Sequence, residues 1–370
     1  MAVYFIPIIV LYISSLSKTS KRYKIILISL LMIFLCLGYM TGSDWRTYED
    51  EYYYGFKHRL VEPGYMYLSE SLSALGINFL VFEMTAKCLS FLCVICLLNL
   101  LIPKSAFYFG LALWYASYGL FLYVNCPFRN MIACGFVALG FIFLIKRKIV
   151  YYFVFVIVAI SIHMSSIIML IAPFLKFDKI GTKKLVITYI VVFIVMGIGG
   201  DVFLKQLIGD FMPEFLYERM DFYMETSTGS VFSIGTIPRI LCLYLIMNYR
   251  SRITNLEYGN TIFNLAYFYL LVSLIYYVFP MLFRSSLYIG PFYVAGIAIS
   301  SSVAKYNKKT IINVFFVIAT TITFTTIRSY AYVPYTNIVY NCITNRFYDY
   351  NYRYNYNIRK SPYSTGDPNN

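Results

Sequence analysis

Long apolar runs leave this chain few ways to fold. Stretches 25–40, 107–124, 131–145, 185–200, 262–279 and 311–327 are each long enough, or nearly so, to cross about 30 Å of hydrocarbon as helices. In that medium every backbone N–H and C=O needs a partner within the protein, which leaves helices or closed barrels. The runs lack the two-residue alternation of a barrel strand. The expectation is an all-α, polytopic transmembrane helical bundle of about 11–12 membrane segments. Composition agrees, with 60% hydrophobic and only 13% charged residues, outside the range of a soluble globular domain.

The formal net charge of +14 would point to nucleic acid in a soluble protein. Here seventeen of the thirty-one Lys and Arg fall in short loops between spans, where they set orientation, so no nucleic-acid partner is expected. The run 2–16 precedes the first basic cluster (Lys18, Lys21, Arg22, Lys24) and lacks a basic segment before it. It reads as a first span with its N-terminus outside, not as a cleavable signal. The segment 41–78 is then an outer loop, and it holds six acids against three Lys or Arg.

The same bookkeeping bears on the run 150–175. A single span there would place Lys176, Lys179, Lys183 and Lys184 outside, against the charge rule. A helical hairpin turning near Ser161-Ile162-His163-Met164-Ser165-Ser166 restores the pattern downstream and makes 201–235 a second outer loop. Its short arms require a recessed, protein-shielded turn, the setting in which irregular backbone is tolerated at membrane depth. Residues 1–335 form the integral membrane domain in this reading. The Tyr/Asn-rich tail 336–370 is expected to be loosely ordered.

This orientation brings Arg129, His163, Arg239 and Arg284 to the outer ends of their helices. Ionisable groups at the membrane boundary are costly unless paired or solvated, which makes them functional candidates. A guanidinium grips phosphate oxygens with a planar fork of donors, so Arg129, Arg284 and Arg239 suit a diphosphate. His163 interrupts an apolar run beside three serines, and its ring can move a proton or hold a phosphate. Among the outer-loop acids, Asp44 follows Gly42-Ser43 at the end of a span, and Glu62-Pro63-Gly64-Tyr65 reads as a turn that fixes its carboxylate. These two rank first as a general base or as ligands of sugar hydroxyls. Trp45, Tyr48 and Tyr65 either anchor the loop at the interface or stack on sugar faces.

Six of the eight cysteines lie in apolar runs and there are only two histidines, so no metal site and no cofactor is expected. Phosphate-loop, dinucleotide-binding, His-Glu-x-x-His and Gly-x-Ser-x-Gly motifs are missing, which removes support for ATP-driven transport and zinc proteolysis.

Gly42-Ser43-Asp44 with Tyr48 and Tyr52, then Glu62-Pro63-Gly64-Tyr65 and Gly76-Ile77-Asn78-Phe79, resemble the outer-loop signature of the EpsG family of bacterial polysaccharide polymerases. Phe128-Arg129-Asn130 with Ala133 resembles that family's Arg-Gln-x-x-Ala element, and Ile162-His163-Met164-Ser165-Ser166 its Phe-His-x-Ser-Ala element. Arg284 before Leu287-Tyr288, and Pro334-Tyr335, also fit. Asn130 stands where the family usually has glutamine and Ser166 where it has alanine. Asn130 is carried as a sugar-binding candidate.

The resemblance implies a Wzy-type glycosyltransferase of the bacterial cytoplasmic membrane. It would join oligosaccharide repeat units carried on undecaprenyl diphosphate into capsule, exopolysaccharide or O-antigen chains at the outer face, without metal or nucleotide sugar. Arg129 and Arg284 would stabilise charge on the departing diphosphate, worth about 3 to 4 kcal/mol per donor by analogy with oxyanion sites. His163 would serve the diphosphate or act as base, and Asp44 or Glu62 would serve the acceptor. Expected partners are the lipid-linked oligosaccharide, the bilayer, and a chain-length regulator with other export proteins. A flippase for the same lipid would instead need a continuous polar path, and a membrane acyltransferase would need polar groups reaching the cytoplasmic side. An interaction subunit of an export complex would tolerate loss of every charge named here.

Overall fold

A computed structural model of the chain describes residues 1–56, 61–200, 230–277, 279, 281–304, 306–347 and 349–360. The described residues are overwhelmingly helical and contain no strand beyond one bridge, Gly38 to Asn337. The first half runs α1 (Phe5–Leu16), α2 (Lys21–Cys36), α3 (Trp45–Tyr54), α4 (Pro63–Ala74), α5 (Phe79–Leu101), α6 (Phe107–Trp114), α7 (Phe128–Ile145) and α8 (Ile149–Ile162). The second half runs α9 (Thr182–Gly197), α10 (Ile237–Asn248), α11 (Arg250–Thr254), α12 (Gly259–Ile275), α13 (Met281–Val303), α14 (Lys308–Thr326), α15 (Ile338–Thr344) and α16 (Tyr350–Lys360).

Among the described residues, five helical stretches are long and apolar enough to cross a membrane: Phe79–Leu101, Lys104–Asn125, Phe128–Ile145, Leu282–Val303 and Lys308–Thr326. Ala2–Leu16, Ile149–Ile162, Ile237–Asn248 and Gly259–Ile275 are shorter apolar helices. The protein is an all-α, multi-pass membrane protein. The stretches through α6 and α13 form its centre, each with 89% of its apolar window buried in protein, whereas α14 buries 28% and lies at the periphery. The chain beyond α6 continues through two π-helical turns, Tyr115–Gly119 and Phe121–Asn125. It then reverses at Cys126, whose φ of 52° is left-handed.

The run 150–175 is a hairpin. Helix α8 stops at Ile162, His163 is extended (φ −155°, ψ 114°), and a 3₁₀ helix, Met164–Phe174, returns alongside. The Tyr152 hydroxyl donates to the Met169 carbonyl at 2.5 Å, and the rings of Phe153 and Phe174 lie 6.4 Å apart. In one continuous helix those two residues would be about 30 Å apart. Breaks of this kind shorten apolar runs, and they are one reason why fewer stretches reach full spanning length than the runs alone predict.

The tail differs from the expectation of loose order. Helices α15 and α16 follow the last span, and Arg353 on α16 is 1% exposed, with Nη2 donating to the Met40 carbonyl at 2.6 Å. The Asn337 amide donates to the Ile33 carbonyl at 2.9 Å, and the Tyr350 ring meets Trp45 edge-on at 5.8 Å. The physical reason is a demand at the end of α2, where Met40 is left-handed (φ 51°) and its carbonyl takes a donor from the tail. Residues 361–370 of the tail and 201–229 of the second expected outer loop lie outside the described residues.

Candidate active site

Two glycines decide how the segment between α2 and α5 meets the bundle. At Gly42 (φ +96°) an added Cβ would stand 2.2 Å from the Asn125 carbonyl oxygen, so both the backbone conformation and the space require glycine. The next residue completes the joint: Ser43 N and Oγ donate to Asn125 Oδ1 at 3.2 and 3.1 Å. At Gly64 a Cβ would lie 2.3 Å from Ser161 Oγ and 2.7 Å from its carbonyl. Pro63 opens α4 with its fixed φ, and Gly64 lets that helix seat on the end of α8. The consequence is that Glu62, immediately before α4, reaches the hairpin turn.

Aromatic edges hold these elements in register. Phe128, in the first turn of α7, meets Tyr48 at 5.6 Å, Tyr65 at 6.1 Å, Phe79 at 5.9 Å and Phe82 at 5.1 Å between centroids. Contacts of this edge-to-face kind contribute beyond the area they bury. They join α3, α4, α5 and α7 beside the position of Arg129.

Glu62 is the hub. Its Oε2 accepts from Arg129 Nη1 at 2.6 Å, and its Oε1 accepts from the Met164 backbone N–H at 3.0 Å. His163 Nδ1 lies 2.8 Å from the same Oε1. Burial raises the Glu62 carboxyl, but the hydrogen bond from His163, the Arg129 charge and the Met164 N–H overcome it and pull its pKa down to about 2. An ionised carboxylate only accepts, so Nδ1 must carry the hydrogen. That tautomer leaves the lone pair of Nε2 free, and Nε2 is buried with no partner among the described residues. Arg129 Nε is likewise without one, while the same guanidinium interacts electrostatically with Tyr48. The three side chains are 10–18% exposed, recessed without being sealed.

A polar layer lies next to this cluster. Asn130 Nδ2 donates to the Tyr288 hydroxyl at 2.9 Å and to Ser165 Oγ at 3.2 Å, and those two hydroxyls are 2.8 Å apart. Asn130 is 1% exposed, so its amide braces the interior. Arg284, one turn before Tyr288 on α13, is partly exposed, and its charge acts on Tyr48, His163 and Tyr288.

The structure thus gathers Glu62, Arg129 and His163, with Tyr48 and Arg284 beside them. Arg239 stands elsewhere: its guanidinium donates to the hydroxyls of Tyr276 and Tyr277 and to the Gly235 carbonyl. Asp44 is exposed at the start of α3, where its charge acts on Tyr48 and Cys126. Trp45 packs against the tail, and Tyr65 is fully buried among rings, with the Arg129 guanidinium 6.0 Å from its centroid. Sequence reasoning gave no role to the Tyr288 hydroxyl or to a buried ion pair on α5, Glu83 with Lys87 at 2.7 Å. The second had a readable signal, an acid and a base four residues apart inside an apolar run.

Fold and cluster together define a multi-pass membrane protein with an ionised, recessed cluster where the segment before α4 meets the ends of α7 and α8. The chain belongs to the EpsG family, whose model matches residues 21–341, nearly all of it. Membership supports a polysaccharide-polymerase type of function in general. No curated protein and no solved structure matches the chain significantly.

Proposed function

We propose that this protein joins oligosaccharide repeat units carried on a lipid diphosphate, undecaprenyl diphosphate in a bacterial cytoplasmic membrane, into a longer chain at the outer face. The observation that carries this reading is the single carboxylate of Glu62 binding His163 Nδ1 and Arg129 Nη1 at once. An imidazole oriented through Nδ1 presents Nε2 as a base, as in other carboxylate–imidazole pairs. A guanidinium beside it is placed to meet an anionic leaving group.

The step then balances as follows. The acceptor sugar hydroxyl gives its proton to His163 Nε2, and its oxygen attacks the anomeric carbon of the growing chain. The bond from that carbon to the diphosphate oxygen breaks, and its electron pair stays with the departing lipid diphosphate, whose charge Arg129 and Arg284 offset. Energy comes from the bond that breaks, so no nucleotide sugar is required, and the two arginines take the charge-neutralising role without a metal. Glu62 orients its neighbours, since a carboxylate pulled down to about 2 is a weak base at neutral pH. Asp44, exposed near Tyr48, is a ligand for the acceptor sugar.

The test is the surface polysaccharide profile of cells carrying Arg129→Ala or His163→Ala, with membrane levels of each variant confirmed. Long chains should vanish while single lipid-linked units persist at the outer face. Units trapped on the inner face would make the protein a flippase, and an unchanged polymer would overturn the site.

A further inference from the structure

The triangle of Asn130, Ser165 and Tyr288 couples the elements that carry the site. Asn130 follows Arg129 on α7, Ser165 stands two residues beyond His163 in the hairpin turn, and Tyr288 is four residues beyond Arg284 on α13. Residues four apart on a helix share a face, so the hydroxyl of Tyr288 and the guanidinium of Arg284 point from the same side of α13. The three polar groups lie 2.8 to 3.2 Å from one another. Cys134 Sγ donates to Asn130 Oδ1 at 3.7 Å, which fixes the amide with its nitrogen toward the two hydroxyls. A second tie runs from Ser285 Oγ to the Ser165 carbonyl at 3.1 Å. Such a network is strengthened by its low-dielectric surroundings and constrains its members to one arrangement.

We propose that Tyr288 is a positioning residue: its hydroxyl locks the hairpin turn to α7 and α13, so that His163, Arg129 and Arg284 converge on one reacting centre. Its hydroxyl has no task in the proton transfer itself, and it acts through Ser165 and Asn130. The assignment of an effect on rate rests on the polymerase reading above. The juxtaposition does not, because it predicts that the environment of the His163 ring depends on a hydroxyl on a different helix.

Two measurements on the full-length protein in proteoliposomes test it. The first uses, as substrate, the lipid-linked repeat unit extracted from cells lacking this chain. Tyr288→Phe, which keeps the ring and leaves Asn130 bonded to Ser165, should lower kcat about 10- to 100-fold, as small misplacements of reacting groups do, with KM held and the thermal midpoint lowered by no more than a few degrees. Ser165→Ala should act likewise, and the double variant should be no slower than the slower single one. A wild-type kcat in Tyr288→Phe, or losses that multiply, would overturn the assignment. Should Tyr288→Phe fail to accumulate, the cycle of Ser165→Ala and Asn130→Ala decides by the same criterion.

The second measurement needs no turnover. The chain has two histidines, so ¹⁵N-histidine labelling in a His58→Asn background leaves His163 as the one histidine signal. Its ring-nitrogen resonances should shift in Tyr288→Phe, and unshifted resonances would sink the positioning role whatever the reaction. Normal polymer in Arg129→Ala and His163→Ala would instead remove the polymerase reading, and the resonance test would still stand.

Discussion

Among the described residues, two carboxylate–cation pairs have similar contact distance and opposite construction. Glu83 and Lys87 sit on one helix, one turn apart, 5% and 0% exposed, beside the thiol of Cys126. Glu62 and Arg129 come from a loop and a helix 67 residues apart, join His163 on a third element, and keep 15% and 18% of their side chains exposed. The first pair is local and sealed, so it serves the fold. The second is held by long-range packing and leaves His163 Nε2 and Arg129 Nε without partners among the described residues. A protein has reason to maintain such unspent capacity where a substrate will use it.

The largest effect should come from breaking the sealed pair on one side. Lys87→Met leaves the Glu83 carboxylate buried without its cation and should cost about 3–5 kcal/mol of stability. Adding Glu83→Leu should return most of that loss. Arg129→Met, by contrast, should lower the thermal midpoint of the detergent-solubilised protein much less than Lys87→Met, because His163 and the Met164 N–H still hold the Glu62 carboxylate, while abolishing long polymer. If Arg129→Met proved as destabilising as Lys87→Met, the division between a structural and a working pair would collapse.

A smaller effect separates the two regions by pH. The folded pKa of Glu62, about 2, lies below its ordinary value of 4.5, so the unfolded chain binds more protons between those values and stability rises with pH across that window. The contribution is fully present above about 4.5 and is lost as pH falls through about 2; at about 1.4 kcal/mol per unit it amounts to a few kcal/mol. Thermal midpoints measured from pH 7 down to 3 should therefore drop in the acid range, and Glu62→Gln should flatten that drop. Above about pH 5 Glu62 stays ionised, so its own titration adds no further pH dependence there.

These contrasts also show what a sequence exposes. The hairpin was legible because Lys176, Lys179, Lys183 and Lys184 needed a side of the membrane, and the charge rule fixes sidedness. Glu62 was legible because Glu-Pro-Gly announces a turn that holds its acid. The rule fixes depth along the membrane normal and says nothing of lateral position. For that reason Arg239 was grouped with Arg129 and Arg284 and turns out to lie against Tyr276 and Tyr277. The rings of Tyr48 and Tyr65 read from their loop as interface anchors or sugar platforms, and they are packed around Phe128, an arrangement set by contacts distant in sequence. Tyr288 stood in the family element with Arg284, but the task of its hydroxyl carried no signal, since its partners lie 123 and 158 residues away.

The tail is the sharpest such case, and it supplies the smallest predicted effect. Tyr/Asn-rich composition argues for a solvated segment, yet Arg353 reaches across 313 residues to the Met40 carbonyl, where α2 gives way to the outer loop. A hydrogen bond from a charged donor is worth about 1.5–3 kcal/mol, and part of that is regained when water reaches the loop. Arg353→Ala should therefore lower stability by about 1–2 kcal/mol, read as a shift of a few degrees in thermal midpoint. The same change should slow chain growth only a few-fold, because the loop that Met40 begins carries Tyr48 to Arg129 but is also tied down by Gly42, Ser43 and the Phe128 rings. A complete loss of polymer in a stably folded Arg353→Ala would move the tail into the working region, and burial would no longer separate structural charges from working ones.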